Sequence, residues 1–310
     1  AEGPHRSKEM QLLVDIGTNA EIVLGNTVHQ FAASSPTGPA FEGAQISAGQ
    51  RATAGAIEHV RIDRETLEPR IKVIGSSLWS DEPGFAESLG DTAITGICGS
   101  GIIEVIGEMY LSRIIDTDGV VRGELATKSN RIVADDRTFS YLFYENGETK
   151  LYVTQNDVRA IQLAKAALRA GIDLLVEHAG SPVVHDIRLA GAFGAHIDPV
   201  YAMVLGLVPD CPVAGVRAVG NAAGAGAVQS LLSRKLRHEM ESTVRGVTKI
   251  ETATEPRFQQ LFVEAMAFPH KTALTPNLAT VIDLPERAET SSDGSGRSAR
   301  RRRSTSGVAD

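Results

Sequence analysis

Cysteine is nearly missing: Cys98 and Cys211 are the only two in the chain. Two thiols exclude a cysteine-built metal framework, and without an export signal they are expected to stay reduced. Aromatic residues make up only 5%, and the single tryptophan, Trp79, is expected to be a packing anchor. No hydrophobic run approaches the length of a membrane span, and no signal peptide opens the sequence. These absences lead to the expectation of a cytoplasmic protein with no membrane partner. An excess of positive charge is lacking too. Net charge is −7; six arginines against three acids follow Glu286, so the rest of the chain stands at −10. Such an acidic body argues against general nucleic-acid binding.

What is present is a globular composition, 42% hydrophobic over 310 residues, enough for two domains and a large core. Leu12–Asn26, LLVDIGTNAEIVLGN, is the most informative stretch. Two β-prone runs flank Asp15, Gly17, Thr18 and Asn19, the pattern of a hairpin with a small polar turn. Gly17 lets backbone approach a ligand, and the N–H groups that follow can face an anion. Asp15, at a strand end, can hold a cation or its water shell. An ordinary polar hairpin has the same pattern. A third strand over Thr27–Ala33 would complete an antiparallel meander. The loop that follows, Ser34–Gly55, carries Glu42 and Gly43 in a glycine-rich setting, and its length marks it as a candidate site loop.

Further along, Gly96, Gly99 and Gly101 precede a helix whose apolar residues fall on one face, with Ser100 as its expected cap. A glycine turn at a helix start can meet an anion or merely allow close packing. Val120–Val153 reads as β-rich, with a hairpin turn at Glu145-Asn146-Gly147. Thr154 and Asp157 form a capping box for a helix reaching about His178. The strand Asp186–Ala190 runs into Gly191-Ala192-Phe193-Gly194, and Asp198-Pro199 starts the next helix. Strand, glycine turn and helix in that order suit a nucleotide edge. Val213–Val219 reads as a strand, and Gly220–Ala227 opens a small-residue helix whose spacing is not a dinucleotide fingerprint. Its small residues are expected to let two helices cross closely. A last strand is expected over Lys249–Thr252 and a capped helix over Thr254–Met266. The residues from 271 onward lose periodicity and are expected to form a disordered basic tail, in which Arg300–Arg303 stands out.

Taken together, LLVDIGTNAEIVLGN, GPAFEGAQISAG, GICGSGIIEV, TQNDVRAIQLAKAALRAGI, LAGAFGAHIDP and VGNAAGAGA occur in one order. That order resembles the ASKHA-type ATPase region of the reductive activators of corrinoid proteins, over roughly residues 1–270, with the ATPase region itself placed at 12–270. The resemblance implies an α/β, actin-like (RNase H-like) lobe with a mixed sheet flanked by helices and a β-rich insertion at about 120–153. It implies ATP and Mg²⁺ as ligands, with Asp15 ordering the metal's waters and Gly17, Thr18 and Asn19 as the second phosphate hairpin. Gly191, Phe193 and Gly194 look like the adenosine motif, Gly220–Gly226 like a connecting helix, and Gly99, Ser100 and Gly101 lie near the nucleotide. The implied partner is a corrinoid methyl-carrier whose cob(II)alamin is reduced to cob(I)alamin, and related ATPases can dimerise. Only one DIGT-type hairpin is present, and residues 1–11 read as a linker. By resemblance, the two-iron ferredoxin domain and most of the first lobe would precede this chain. Weak or no ATP turnover is therefore implied for the chain alone. Two other functions compatible with the sequence are a non-catalytic docking or dimerisation module and a small-molecule kinase of the same superfamily.

Overall fold

The computed structural model describes residues 1–194 and 196–286. Leu12, Val14 and Ile16 are buried while Leu13 and Asp15, on the other face, are only partly so, the period-two pattern of a strand. This run is β1 (Gln11–Ile16), followed by β2 (Ala20–Gly25) and β3 (Gln30–Ser35). The three form the expected antiparallel meander, with Asp15 opposite Glu21 and Ile16 opposite Ala20.

The chain then leaves this sheet. A hairpin of β4 (Ala56–Ile62) and β5 (Pro69–Val73) is joined, after the short helix α1 (Phe85–Leu89), by β6 (Gly96–Ile97) in parallel with β4. Helix α2 (Gly99–Leu111) packs on β4 and is buried along almost its whole length. A second small sheet holds β7 (Ile132–Asp135), β8 (Thr138–Asn146) and β9 (Thr149–Val153), all antiparallel. Its last turn falls one residue later than expected, because Asn146 still pairs with Thr149.

Helix α3 (Gln155–His178) returns the chain to the first sheet. Its capping box forms as expected: the Asp157 N–H donates to Thr154 Oγ1 at 3.1 Å and the Thr154 N–H donates to Asp157 Oδ2 at 2.8 Å. The Ser35 hydroxyl ties β3 to α3 by donating to Ala167 O at 2.6 Å. On the helix's other side, fully buried Lys165 donates to Ala267 O at 2.5 Å and Pro269 O at 3.0 Å and lies over the Phe268 ring. Burial pushes its amine well below the ordinary lysine range.

The remaining elements are β10 (Asp186–Ala190), α4 (Gly191–Gly194), α5 (Pro199–Val204), β11 (Val216–Gly220), α6 (Ala222–Leu232), α7 (Arg234–Gly246), β12 (Thr248–Ile250) and α8 (Phe258–Ala265). The first sheet thus has the order β11-β10-β1-β2-β3-β12. β10 lies parallel to β1, β11 parallel to β10, and β12 parallel to β3. A mixed sheet flanked by helices is the expected class.

Several details differ from the sequence reading. Ser100 does not cap α2: Cys98 is the N-cap residue, with no side-chain cap bond. The Ser100 hydroxyl lies 3.3 Å from Cys98 Sγ instead. α8 starts at Phe258, after Pro256, and Thr254 bonds back to Glu251 O. In α6, a Cβ on Gly224 would press on the Asn221 side chain, and one on Gly226 would meet the Ala1 nitrogen. Residues 1–11 are more than a linker: Pro4–Arg6 forms a turn, and His5 and Arg6 both pair with Glu239 on α7. Residues 271–286 are not a loose tail. Leu278 is fully buried, and Asp210 accepts bonds from the Asn277 and Leu278 N–H groups at 2.9 Å. Arg300–Arg303 lie outside the described residues.

Candidate functional site

In the first sheet, β1, β10 and β11 run in one direction, so their C-terminal ends share an edge. Ligands of α/β sheets bind in the crevice outside such an edge. Asp15 stands there, next to last in β1 and half-buried. Among the described residues its carboxylate has neither hydrogen bond nor ion pair. Desolvation pushes its pKa above the ordinary carboxylate value. A charged oxygen donor that lacks a protein partner suits a cation.

Gly191 keeps that carboxylate uncovered. Its φ is +93°, and a Cβ there would sit 2.6 Å from Asp15 Oδ1 and 2.7 Å from Ile16 O. Only glycine combines that backbone with that approach. The strand pairing of β1 with β10 is what brings residues 15 and 191 together.

The hairpin turn is held from below. Thr37 Oγ1 donates to Gly17 O at 2.7 Å, and the Gly38 N–H donates to Thr18 O at 2.9 Å. The Gly17 N–H is already taken by Asn19 O at 3.1 Å, within the turn itself. The exposed Thr18 and Asn19 remain to face an anion. Thr18 Oγ1 donates to Glu42 Oε1 at 3.3 Å, which brings the glycine-rich loop to the hairpin. Gly43 is buried and turns that loop beneath Glu42 without reaching the edge itself.

The adenosine-type turn meets the same loop. The Phe193 ring stacks on Phe41 with centroids 5.8 Å apart and planes 7° apart. A Cβ on Gly99 would overlap both that ring and Phe41 O, so Gly99 is fixed by close packing beneath them. Gly101 packs instead against the β4 backbone at Ile57, and Ser100 is turned to Cys98. Gly194 lies back against Leu189 in β10. Asp15, Thr18, Glu42, Gly191, Phe193 and Gly99 thus line one continuous region through Phe41, while Ser100, Gly101, Gly43 and Gly194 support it.

Two contributors were missed. Glu21 is the cross-strand partner of Asp15 on the same face of the sheet, and its carboxylate accepts from Ser34 Oγ at 3.3 Å. A hairpin with a three-residue turn already implies that pairing. Phe41 was passed over because its partner lies far away in the sequence. Among the described residues no three His, Cys, Asp or Glu side chains converge to bind a metal. One or two carboxylates beside exposed N–H donors fit Mg²⁺, which keeps its waters and is shared with phosphates.

This strand order, with a carboxylate at the end of its first strand, fits an ASKHA-type α/β lobe. A family model described as the C-terminal domain of RACo, the ASKHA domain, matches residues 9–279, and the chain belongs to that family. It is 36% identical over 272 residues to the corrinoid activation enzyme RamQ of Eubacterium limosum, covering 84% of this chain and 43% of that protein. It is 28% identical over 214 residues to the Co(II) methylated amine-specific corrinoid protein reductase of Methanosarcina barkeri, covering 65% and 35%. Among solved structures, a reductive activator for corrinoid, iron-sulfur protein superposes with a TM-score of 0.74 at 31% identity, over 86% of this chain and 41% of the other. The chain spans less than half the length of each of these proteins.

Proposed function

We propose that this chain is the nucleotide-binding lobe of a reductive activator, in which ATP drives reduction of cob(II)alamin to cob(I)alamin in a corrinoid methyl-carrier protein. The observation that carries this reading is the unpartnered Asp15 carboxylate under Gly191, in a chain whose relatives are named for corrinoid activation. Bound Mg-ATP would supply the free energy of phosphoanhydride hydrolysis.

The chain's own residues do the holding. Asp15, with Glu21 beside it, would hold the hydrated Mg²⁺ ion. Thr18 and Asn19 offer N–H donors to phosphate oxygens, on a turn stiffened by Thr37 and Gly38. Phe193, braced on Phe41 and Gly99, faces the adenosine side. Closure of a second lobe over this edge would convert nucleotide binding into a changed grip on the corrinoid partner. A reduced two-iron cluster outside this chain would supply the electron that takes Co(II) to Co(I); Cys98 and Cys211, both buried, are too few to hold one here.

The test is ATP-dependent cobalamin reduction by the whole protein, followed by visible absorbance under anaerobic conditions. Asp15→Ala should abolish it while the circular dichroism spectrum stays unchanged. Undiminished turnover in a folded Asp15→Ala protein would contradict the assignment.

A docking or dimerisation role is favoured by a separate feature. Val228, Leu231 and Leu232 on α6 and Val244 on α7 are each more than half exposed. An apolar face of this kind suits contact with the carrier, another lobe or a second copy. Calorimetry that gives no heat with Mg-ATP but measurable binding of a corrinoid protein would support docking over catalysis.

A further inference from the structure

At the far end of α2 from Gly99, about 20 Å away for a helix of this length, lies a cavity of about 330 Å³. Four cationic side chains line it: Arg64 from the β4–β5 turn, Arg113 just past α2, and Arg122 and Lys128 from the segment before β7. One acid, Asp283, enters it from the C-terminal segment and pairs with Arg64 at 3.3 Å, though its side chain is 92% exposed. Arg122 is engaged by Glu124 at 2.7 Å. Asp63, held below its ordinary pKa mainly by the Thr66 amide and hydroxyl, also feels Lys128. Arg113 has no carboxylate partner among the described residues.

One feature of this place has no explanation in packing. Ser112 lines the cavity at 7% exposure, and its hydroxyl is buried without a hydrogen-bond partner. A buried hydroxyl is normally paired. Arg113 takes the left-handed position that closes α2, at φ +59°, with its own N–H on Tyr110 O at 3.0 Å and the Ile114 N–H returning to Met109 O at 2.8 Å. Ser112, with its buried unpaired hydroxyl, and Arg113, with no carboxylate partner among the described residues, are consecutive in the lining of a cationic cavity.

We infer that this cavity is a second anion site, separate from the nucleotide edge, that takes a phosphate group of a small phosphorylated molecule, with Asp283 as the built-in anion that the ligand displaces. Guanidinium groups match phosphate oxygens in pairs, and the Ser112 hydroxyl, which lacks a protein partner, can donate to one of them. The α2 C-terminus points its negative dipole end at the same place, which opposes an anion; the four cations outweigh that half charge. Because α2 runs from Gly99 to this cavity as one buried helix, the two ends share a rigid strut.

The test is calorimetric titration of the full chain with pyrophosphate, beside the same titration of Asp15→Ala, Arg113→Gly, Lys128→Ala and Asp283→Asn. Pyrophosphate binding at this cavity should survive Asp15→Ala, weaken at least tenfold in Arg113→Gly and Lys128→Ala, and strengthen in Asp283→Asn. Arg113→Gly relieves the left-handed backbone, so its melting temperature should hold or rise even as binding falls. That combination separates a ligand contact from a structural role. Absence of saturable binding in Asp283→Asn would overturn the site, and so would binding lost in Asp15→Ala but kept in Arg113→Gly. Neither result depends on the reading of the nucleotide edge, which is tested by cobalamin reduction.

Discussion

At the scale of single residues, the structure sets conformations and charges that a side-chain list does not reveal. Gly191 is the clearest case. Its φ of +93° and its 2.6 Å clearance to Asp15 Oδ1 exclude any Cβ. Gly191→Ala should cost about 1–3 kcal/mol of stability, the range for residues forced into sparsely populated backbone. It should weaken Mg-nucleotide binding as well, which denaturant melts and calorimetry on one preparation would resolve. His59 carries the pH dependence most open to measurement. Its Nδ1 lies 2.8 Å from Oε1 of buried Glu104, which also takes the Val60 N–H at 3.0 Å and the Arg61 guanidinium. The hydrogen bond to Glu104, aided by that carboxylate's charge and opposed by partial burial, raises the imidazole pKa above its ordinary value of 6.5. A folded value above the unfolded one means that protonation stabilises fully below pH 6.5 and is lost as pH rises through the folded value. The difference in melting temperature between the natural protein and His59→Gln should therefore shrink from about pH 6 to pH 8. A difference that grows over that interval would contradict the pairing.

At the scale of elements, what was legible depended on whether the signal was local. The capping box at Thr154 and Asp157, the Asp198 cap of α5 and the hairpin around residue 147 are local, and all three form. Thr154→Ala should cost about 1 kcal/mol, the usual value of a cap, read as a drop of roughly 1.5 °C in melting temperature for a chain of this size. The loss should spread beyond α3. Asp157 also accepts from the Ser47 N–H at 2.8 Å and the Ser47 hydroxyl at 3.1 Å, so the box anchors the glycine-rich loop as well. Faster amide exchange over residues 43–50 in Thr154→Ala would show that link, and exchange confined to α3 would deny it. α7 was missed although Leu236, Met240 and Val244 recur at every fourth position, because three apolar residues in a strongly charged stretch give a narrow stripe. Lys165 was read only as part of the helix. Its burial depends on the Ala267 and Pro269 carbonyls, about a hundred residues downstream, which no local pattern encodes.

At the scale of the whole molecule, the sheet order explains why the site could be named in pieces but not assembled. Asp15 and Thr18 come from the hairpin, Glu42 and Phe41 from the loop after it, Gly99 from the start of α2, and Gly191 and Phe193 from the end of β10. Parallel pairing of β1 with β10 joins the first and last of these, and only the folded chain shows that pairing. Family resemblance compensated for this, since it names the words in order without knowing their contacts. It did not reveal that the Gly17 amide is already used, that Glu21 stands beside Asp15, or that α2 links this edge to a cationic cavity at its other end. The central claim is that the edge around Asp15 takes Mg-nucleotide. Its most direct measurement is amide hydrogen exchange of the whole protein with and without Mg²⁺ and a non-hydrolysable ATP analogue. Protection at Thr18 and Asn19 and at Gly191–Gly194, lost in Asp15→Ala, is the predicted result; saturating nucleotide that leaves these amides unchanged would contradict it.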